Sequence, residues 1–509
     1  MGNHRAGRFS AIAIVAMGMA LGGAGCAASG TAQTGASGSA SESSVASAAS
    51  GGAASSGTPA AAAGGGSASA SASTVSCTPT NASATTSGGS AQNAQQPPEA
   101  GGQAGGGAGQ DSSTALGTVT QTGGTLTKTG ETINATDQDT SGVLATDAAA
   151  VTLTDVKVTT SGSSSSSDSS SFTGLDAGVL ANGGSQITMS GGSITTTGDG
   201  ANAAFAYGTG SSLTIASTSM SATGQYAHGI MASGGGTVTA KEIDVVTAGN
   251  NGAAVATDRG GGTMNVTNSR VTTCGYDSPG LYSTGSVQVI SSTVDAQNSE
   301  VAVIEGSNSI TITDSALTGS KKSGFMIMQS MSGDAEGADG VVNVTGGSVT
   351  QAEGPLLFVT NSTGTFNLTG VNAKADSGIL LKAAADKWGT TGSNGGHATL
   401  NATRQVLSGD VVVDDISEAT LALTQQSKWT GALNTANSAG TANVNLDSTS
   451  TWTVTADSHV AALTGAVISG TSVANITGNG HNVYYSAAAN PALGGATYSL
   501  AGGGQLLPG

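Results

Sequence analysis

The residues best placed to do chemistry in this sequence are one basic and two acidic side chains. Asp258 and Arg259 follow a short apolar run, and Glu305 ends a similar run further along the chain. If the repeats described below stack as coils, Asp258 and Glu305 lie two coils apart, which is about 10 Å at the spacing of β-strands. Inverting glycosidases hold two carboxyl groups at a comparable distance. Two acids in a long repetitive chain also align by chance, so these residues are weak catalytic candidates and we expect no catalysis.

A second stretch begins like a calcium-binding loop. The segment DQDTSG places Asp137 and Asp139 at its first and third positions. A loop of this type needs a bidentate Glu at its twelfth position, and Ala148 occupies that position. The chain also has no CxxC and no Cys/His metal spacing. Asp137 and Asp139 are therefore weak metal-ligand candidates, and the sequence predicts neither a metal nor a cofactor.

The composition argues against several classes of partner. The 509 residues include 14 Lys and Arg and 31 Asp and Glu, a net charge of −17. Charged residues make up 9% of the chain, against roughly 25% in an ordinary soluble domain. Nucleic acids need a clustered basic face to neutralise their phosphates, so we expect no nucleic-acid partner. Low charge with 81 Gly residues favours stacked, polar-faced coils over a helical enzyme.

The elements that position these residues come from an internal repeat. Ile187, Leu213, Val238 and Met264 open four similar segments and are separated by 26, 25 and 26 residues. Each segment contains three short β-rich runs divided by Gly- or Asn-containing turns. A fixed period in this range indicates a solenoid. The sequence therefore predicts an all-β fold, a single right-handed parallel β-helix with three strands per coil and about twelve coils.

Aligning the repeats brings apolar residues into columns that become internal ladders when coils stack. The first predicted column consists of Ile187, Leu213, Val238 and Met264. The second contains Ile194, Met220, Val245, Val271, Val294, Leu317, Val349 and Val371. The third contains Val179, Phe205, Ile230, Val255, Leu281, Val303, Phe325, Leu356 and Ile379. This third strand is apolar at nearly every position, as expected where its outer face is covered or lightly solvated.

A polar column precedes the third strand. It contains Asp176, Asn202, His228, Asn251, Ser278, Ser323 and Ser377. Stacked side chains of this kind satisfy backbone groups in turns, so we interpret His228 as part of a structural ladder; the alternative is a catalytic base. Aromatic residues are only 3% of the chain, and Tyr226 and Tyr276 form the one pair that could stack against sugars.

The first 26 residues have the three parts of a secretory signal: a charged start, an apolar run and a small-residue segment that ends at Cys26. The ending LGGAGC resembles a bacterial lipobox, although Gly23 stands where Leu is usual. The resemblance implies lipidation of Cys26, export, and anchoring in the outer membrane or at the cell surface. An ordinary cleaved signal is the alternative.

Four regions follow from these patterns. They are a signal peptide (1–26), a disordered Ala/Ser/Gly-rich tether (27–113), the parallel β-helix (114–470) and a C-terminal cap (471–509). Cys77 in the tether and Cys274 in the repeats could form one disulfide in an oxidising compartment, but nothing in the sequence brings them together.

The late repeats carry a resemblance to a known group. Trp429 (in SKWT) and Trp452 (in STWT) are one coil apart and should stack, and DSHVAALTG follows the second. These motifs resemble the late coils of autotransporter passenger domains and related right-handed β-helix adhesins. The resemblance in pattern covers about residues 115–509, whereas autotransporters continue into a membrane β-barrel and this sequence ends at Gly509. It implies surface exposure and an adhesin-like role.

Three functions stay open at this point. The preferred hypothesis is a surface-displayed, lipid-anchored β-helix protein with an adhesin-like or structural role and no catalysis. The alternative is a carbohydrate-active enzyme, a polysaccharide lyase or glycoside hydrolase, with the insertions at 161–171, 330–340 and 384–396 as groove walls. A third is a binding module for another envelope component. Expected partners are the membrane, through the lipid, and a host or envelope glycan or protein.

Overall fold

The computed structural model describes Cys77 and residues 115–509. All of these residues belong to one compact unit. The predicted signal peptide and Cys26 lie outside the described residues, and of the predicted tether only Cys77 is described. None of the helices formed by residues 115–509 has the length and apolar character that crossing a membrane requires.

The described chain winds into a parallel β-solenoid in which each coil up to β34 contributes one strand to each of three sides. Sheet A contains β1 (Leu116–Thr122), β4 (Thr140–Thr146), β7 (Val179–Ala181), β10 (Ala204–Tyr207), β13 (Ile230–Ser233), β16 (Val255–Thr257), β19 (Leu281–Ser283), β22 (Ala302–Glu305), β25 (Phe325–Met328), β28 (Leu357–Thr360), β31 (Ile379–Ala383) and β34 (Asp410–Val413). Sheet B contains β2 (Thr125–Thr129), β5 (Ala150–Thr154), β8 (Gln186–Ser190), β11 (Ser212–Ala216), β14 (Gly236–Lys241), β17 (Gly262–Thr267), β20 (Ser286–Ile290), β23 (Ser309–Thr313), β26 (Asp339–Thr345), β29 (Ser362–Thr369), β32 (Gly396–Thr403), β35 (Glu418–Thr424), β37 (Thr441–Leu446) and β40 (Leu463–Thr464).

The third side of the solenoid changes sheet partway along. Sheet C contains β3 (Thr132–Ala135), β6 (Lys157–Thr160), β9 (Ser193–Thr196), β12 (Ser219–Ala222), β15 (Asp244–Thr247), β18 (Arg270–Thr273), β21 (Thr293–Ala296), β24 (Ala316–Gly319), β27 (Ser348–Gln351) and β30 (Asn372–Ala375). Sheet D contains β33 (Val406–Ser408), β36 (Lys428–Thr430), β38 (Thr451–Thr453), β39 (Ser458–Val460), β41 (Ile468–Ser469), β42 (Ser472–Thr477), β43 (Val483–Tyr485), β44 (Tyr498–Ala501) and β45 (Gln505–Pro508). The chain also forms α1 (Ser167–Thr173) and a short 3₁₀ turn, Pro491–Leu493.

The solenoid confirms the predicted fold class with more coils than expected. It makes about 16 turns instead of about twelve. Sheet B alone contains 14 strands, each from a successive coil. The predicted β-helix ends at residue 470, and beyond it β42 and β43 still pair in parallel with β38 and β39.

The predicted ladders are confirmed in sheets B and C. Ile187, Leu213, Val238 and Met264 pair in register in sheet B. In sheet C the ladder runs as predicted from Ile194 to Val349, and then continues through Ala373. The prediction of Val371 was wrong because Val371 lies one residue before β30, and Ala373 is the residue that pairs with Val349. Alternating side chains on these strands point inward into one continuous apolar core.

The third predicted column was partly wrong. The inward ladder of sheet A contains Val179, Ala204, Ile230, Val255, Leu281, Ala302, Phe325, Leu357 and Leu381. Four predicted members do not belong to it: Phe205, Val303, Leu356 and Ile379. These strands are apolar on both faces, so the alternation of polar and apolar residues that fixes the face is missing. Phe205 and Val303 lie on the outer face.

The late coils contain the predicted tryptophan stack. The rings of Trp429 and Trp452 are buried, with centroids 4.9 Å apart and planes 12° from parallel. Each indole N–H donates to a carbonyl of the preceding coil, Trp429 to Gly409 and Trp452 to Gly431, both at 2.9 Å. The final segment 471–509 still pairs with the solenoid through β42 and β43, and adds two antiparallel pairs. Its role as a cap stays a prediction.

Cys77 and Cys274 form a disulfide, with Cα atoms 5.6 Å apart. The sequence left this pairing open, because the residues are separated by 197 positions and lie in stretches with unrelated patterns. Cys274 lies at the corner between β18 and β19, where the chain passes from sheet C to sheet A.

Candidate functional site

The outer face of sheet A differs from the other faces because insertions border it on both sides. The insertion with α1 lies at the corner from sheet C to sheet A. Loops 329–338 and 384–395 lie at the corner from sheet A to sheet B. Beneath them is a column of outward side chains that includes Leu180, Phe205 and Met231 in one cluster and Val303, Met326 and Phe358 in another. Of the two alternatives given for the outer face of this strand, covered or lightly solvated, the structure shows the covered one.

The α1 insertion is fastened to the sheet by backbone and side-chain contacts. Ser233 on β13 donates to the carbonyl of Phe172, 2.6 Å away. Asn202 donates to the carbonyl of Ser170 at 3.0 Å. Gly174 ends α1 with a φ of 78°, and a Cβ at this position would lie 2.7 Å from the Phe205 ring. The helix thus closes directly over the apolar column.

Glu305 lies at the end of β22 on this outer face and is 1% exposed. The Tyr282 hydroxyl donates to Glu305 Oε2 at 2.5 Å. On the other carboxylate oxygen, the backbone N–H of Ser330 donates from 3.2 Å and the Ser330 hydroxyl also donates. A buried carboxylate with three donors is well satisfied, so Glu305 joins β19, β22 and loop 329–338.

Arg259 connects the same loop to the α1 insertion. Its guanidinium binds Asp334 with Nη2 to Oδ1 at 2.7 Å and stands 3.8 Å above the ring of Phe172. Ser332 donates to the second oxygen of Asp334 at 2.7 Å. The ion pair is half exposed and contributes little by itself, but it holds two insertions against one sheet face.

Asp258 completes the cluster and is 8% exposed. Its Oδ1 accepts the backbone N–H of Arg259 at 2.7 Å. Burial raises the pKa of Asp258 to about 8, and the charges of Asp334 and Glu305 add to the rise. Burial likewise raises the pKa of Tyr282 well above its usual value, with the Glu305 charge as the next cause. The carboxyl of Asp258 is therefore mostly protonated at neutral pH.

The structure brings the three sequence candidates, Asp258, Arg259 and Glu305, into one neighbourhood. Sequence reasoning missed Tyr282, Ser330 and Asp334, although it noted the insertion at 330–340. The alternation of β19, which places Tyr282 on the outer face, is the signal that could have revealed it. A hydrolase needs carboxyl groups that reach substrate, whereas these are covered by the loops and engaged with protein donors. The cluster is suited to holding the insertions in place.

Part of the polar column, including Asn202, His228 and Ser278, acts as a structural ladder. The backbone N–H of His228 donates to Asn202 Oδ1 at 2.8 Å. The ring Nδ1 of His228 accepts the backbone N–H of Ala253 at 3.0 Å. Burial lowers the pKa of His228 to about 4, so the ring is neutral. Burial raises the pKa of Asp176 to about 7, with the charge of Asp139 adding to it. This pattern agrees with the structural interpretation of His228.

Asp137 and Asp139 lie in the turn between β3 and β4. Asp139 has a φ of 58° and accepts the backbone N–H of Ser165 at 2.6 Å. It therefore ties the insertion before α1 to the first coil. Within residues 115–509 the structure contains no cluster of three or more His, Cys, Asp or Glu side chains arranged for a metal.

Two other surface features offer contacts to a ligand. Tyr226 and Tyr276 are 39% and 61% exposed at the corner from sheet C to sheet A, two coils apart, and Asn250 between them accepts the N–H of Tyr276 at 2.9 Å. Lys322 stands 4.8 Å from the Tyr276 ring, and burial lowers the pKa of Lys322 to about 8.

A groove of 440 Å³ runs along the corner from sheet B to sheet C. The repeat pattern of the sequence did not predict this groove. Its lining includes Ser219, Glu242, Asp244, Asn268, Arg270 and Thr293.

No protein-family model matches this chain, and no curated protein matches it.

Proposed function

We propose that this protein is an exported, lipid-anchored β-helix displayed at the outer membrane or cell surface, with an adhesin-like or structural role and no catalysis. The proposal combines the signal-like N-terminus ending at Cys26 with a long solenoid of low charge. The Cys77–Cys274 disulfide supports export, because such bonds persist in oxidising compartments. The membrane, through the lipid on Cys26, is one partner.

The observation that carries the non-catalytic role is the state of Glu305. It is buried. One of its carboxylate oxygens accepts a hydrogen bond from Tyr282, and the other accepts from Ser330. A general acid or nucleophile must reach the substrate and change its protonation or bonding during the reaction. Glu305 instead holds a loop on a sheet, which is a structural role.

The second partner in this proposal is a host or envelope glycan or protein. Tyr226 and Tyr276 project from one corner about 10 Å apart, since two coils separate them. Exposed tyrosines present an apolar ring face together with a polar hydroxyl, which suits contact with sugars or with a protein surface. The amide of Asn250 lies between them and the cation of Lys322 beside them.

A carbohydrate-active enzyme remains the second candidate, and one observation favours it. All three insertions border sheet A, and Asp258 and Glu305 lie on that same face. Loops on both sides of a face with two carboxyl groups are what a polysaccharide lyase or glycoside hydrolase would need. In that case loop 329–338 would have to move away from Glu305 for substrate to enter.

The test is a glycan-array binding screen on the whole protein, run beside an assay for reducing ends and unsaturated products on the same polysaccharides. We expect binding without product, and binding that Tyr226→Ala with Tyr276→Ala reduces at least tenfold. The matched control is Tyr207→Ala, which changes a tyrosine on sheet A away from the corner. Product that disappears in Asp258→Asn or Glu305→Gln would establish the enzyme instead.

A further inference from the structure

The disulfide joins Cys77 to a rigid point of the solenoid. Cys274 is 8% exposed. Its N–H donates to the carbonyl of Thr247 at 2.9 Å, and its own carbonyl accepts the side-chain amide of Asn298 at 2.6 Å. Cys274 is thus fixed to the coils on both sides of it, and a force applied to its sulfur is shared by several coils.

The bond encloses a large part of the fold. Between Cys77 and Cys274 the chain forms six complete coils, from β1 to β18. The two cysteines are 197 residues apart in sequence. These six coils therefore sit inside one covalent loop, and the rest of the solenoid continues from its closure point.

The first coil is a weak place to attach a load. Within the described residues β1 pairs only with β4, and its side chains alternate between exposed and half-buried. In a solenoid each coil is held by its neighbours, so an end coil has one interface where an inner coil has two. A pull on the first coil would detach coils one after another from that end.

We propose that the Cys77–Cys274 disulfide moves the mechanical attachment of the solenoid from its first coil to the corner after its sixth coil, so that the first six coils carry no load. Force that enters from the N-terminal side then passes through the disulfide into β19 and onward. The biological use of this attachment rests on the proposed function, since load arrives from the N-terminal side when the chain is anchored at its N-terminus. The mechanical property itself does not depend on the proposed function.

The test is single-molecule stretching of the full chain with handles at its two ends, with and without a dithiol reductant. The reductant transfers two electrons and two protons to the disulfide, giving two cysteine thiols and an oxidised cyclic dithiol. We expect the fully stretched oxidised chain to be shorter by the 197 residues of the loop, about 700 Å at the extended length of a residue. Low-force detachment of the first coils should be seen only after reduction.

Cys77→Ser is the matched variant, because it leaves Cys274 and the solenoid unchanged. Without reductant it should reproduce the reduced wild-type trace. The comparison of wild-type protein with and without reductant needs no variant, so misfolding of Cys77→Ser would not obscure the result. Equal stretched lengths in both conditions, or the absence of a disulfide-linked Cys77–Cys274 peptide by non-reducing mass spectrometry, would overturn the proposal. No membrane is used, so failure of lipid anchoring is detected separately by mass analysis of Cys26.

Discussion

The outer faces of sheets A and B are built by the same coils and yet differ in polarity. Sheet A is apolar outside as well as inside, and its outer column needs the α1 insertion and the two loops to keep water away. Sheet B presents mostly Thr, Ser and Asn, as in the column Thr152, Thr188, Thr214 and Thr239. That face needs no cover. The difference shows that the inner apolar ladders determine that the chain forms a solenoid. The outer side chains determine whether a face is covered by insertions or exposed to solvent.

The largest expected difference comes from deleting one side chain on each face. Phe205→Ala removes a fully buried ring from beneath α1 and should lower the free energy of unfolding by about 3 to 5 kcal/mol. Thr214→Ala on the open face of sheet B should change it by less than about 0.5 kcal/mol. Urea denaturation followed by circular dichroism measures both. Equal effects of the two substitutions would contradict the idea that only sheet A has an outer core.

The second prediction concerns pH and the buried carboxyl on sheet A. The pKa of Asp258 is raised to about 8, so between about pH 4 and pH 8 the folded state binds a proton that the unfolded state has released. This contribution is fully present below about pH 4 and is lost as pH rises towards 8. From pH 5 to pH 7 the contribution of Asp258 to the free energy of unfolding should fall by about 3 kcal/mol, at about 1.4 kcal/mol per pH unit.

The measurement is urea denaturation at pH 5, 6 and 7 of the wild type and of Asp258→Asn, and the two slopes should differ by about 1.4 kcal/mol per pH unit. Asp176 and His228 also have shifted pKa values, but they contribute to the slope of both proteins. Asp415→Asn is the control, because Asp415 lies exposed in a turn and should leave the slope as it is. Equal slopes in the wild type and in Asp258→Asn would mean that Asp258 does not cause the dependence.

The two faces also explain how far sequence reasoning could reach. In sheet B each strand alternates polar and apolar residues, so Ile187 and its partners were placed in the correct register. In sheet A both faces are apolar, so Phe205 and Val303 were assigned to the wrong side. Asp258 and Glu305 were found because they follow equivalent strands. Their donors were missed because loop 329–338 interrupts the repeat, and no periodic pattern describes how an insertion folds back.

A third prediction separates the loop from the sheet beneath it. Glu305→Ala leaves the Tyr282 and Ser330 hydroxyls without their acceptor and should lower the free energy of unfolding by about 2 kcal/mol. Hydrogen exchange should accelerate chiefly in loop 329–338. Gln288→Ala, on the exposed face of sheet B, is the matched control and should change exchange in neither place. Uniform acceleration throughout the solenoid would instead indicate that Glu305 supports the core.

The smallest effect is expected on the amide ladder of sheet B. Asn367 donates to Asn343 and accepts from Asn401, both at 2.8 Å. These side chains are half-buried, so water can replace the lost partners. Asn367→Ala should therefore lower the free energy of unfolding by about 1 kcal/mol or less, measured as for Phe205→Ala. A loss above about 2 kcal/mol would show that the ladder acts as a coupled network, in which each amide polarises the next. The open face would then contribute to holding the coils together, and the contrast with sheet A would be one of chemistry and not of structural importance.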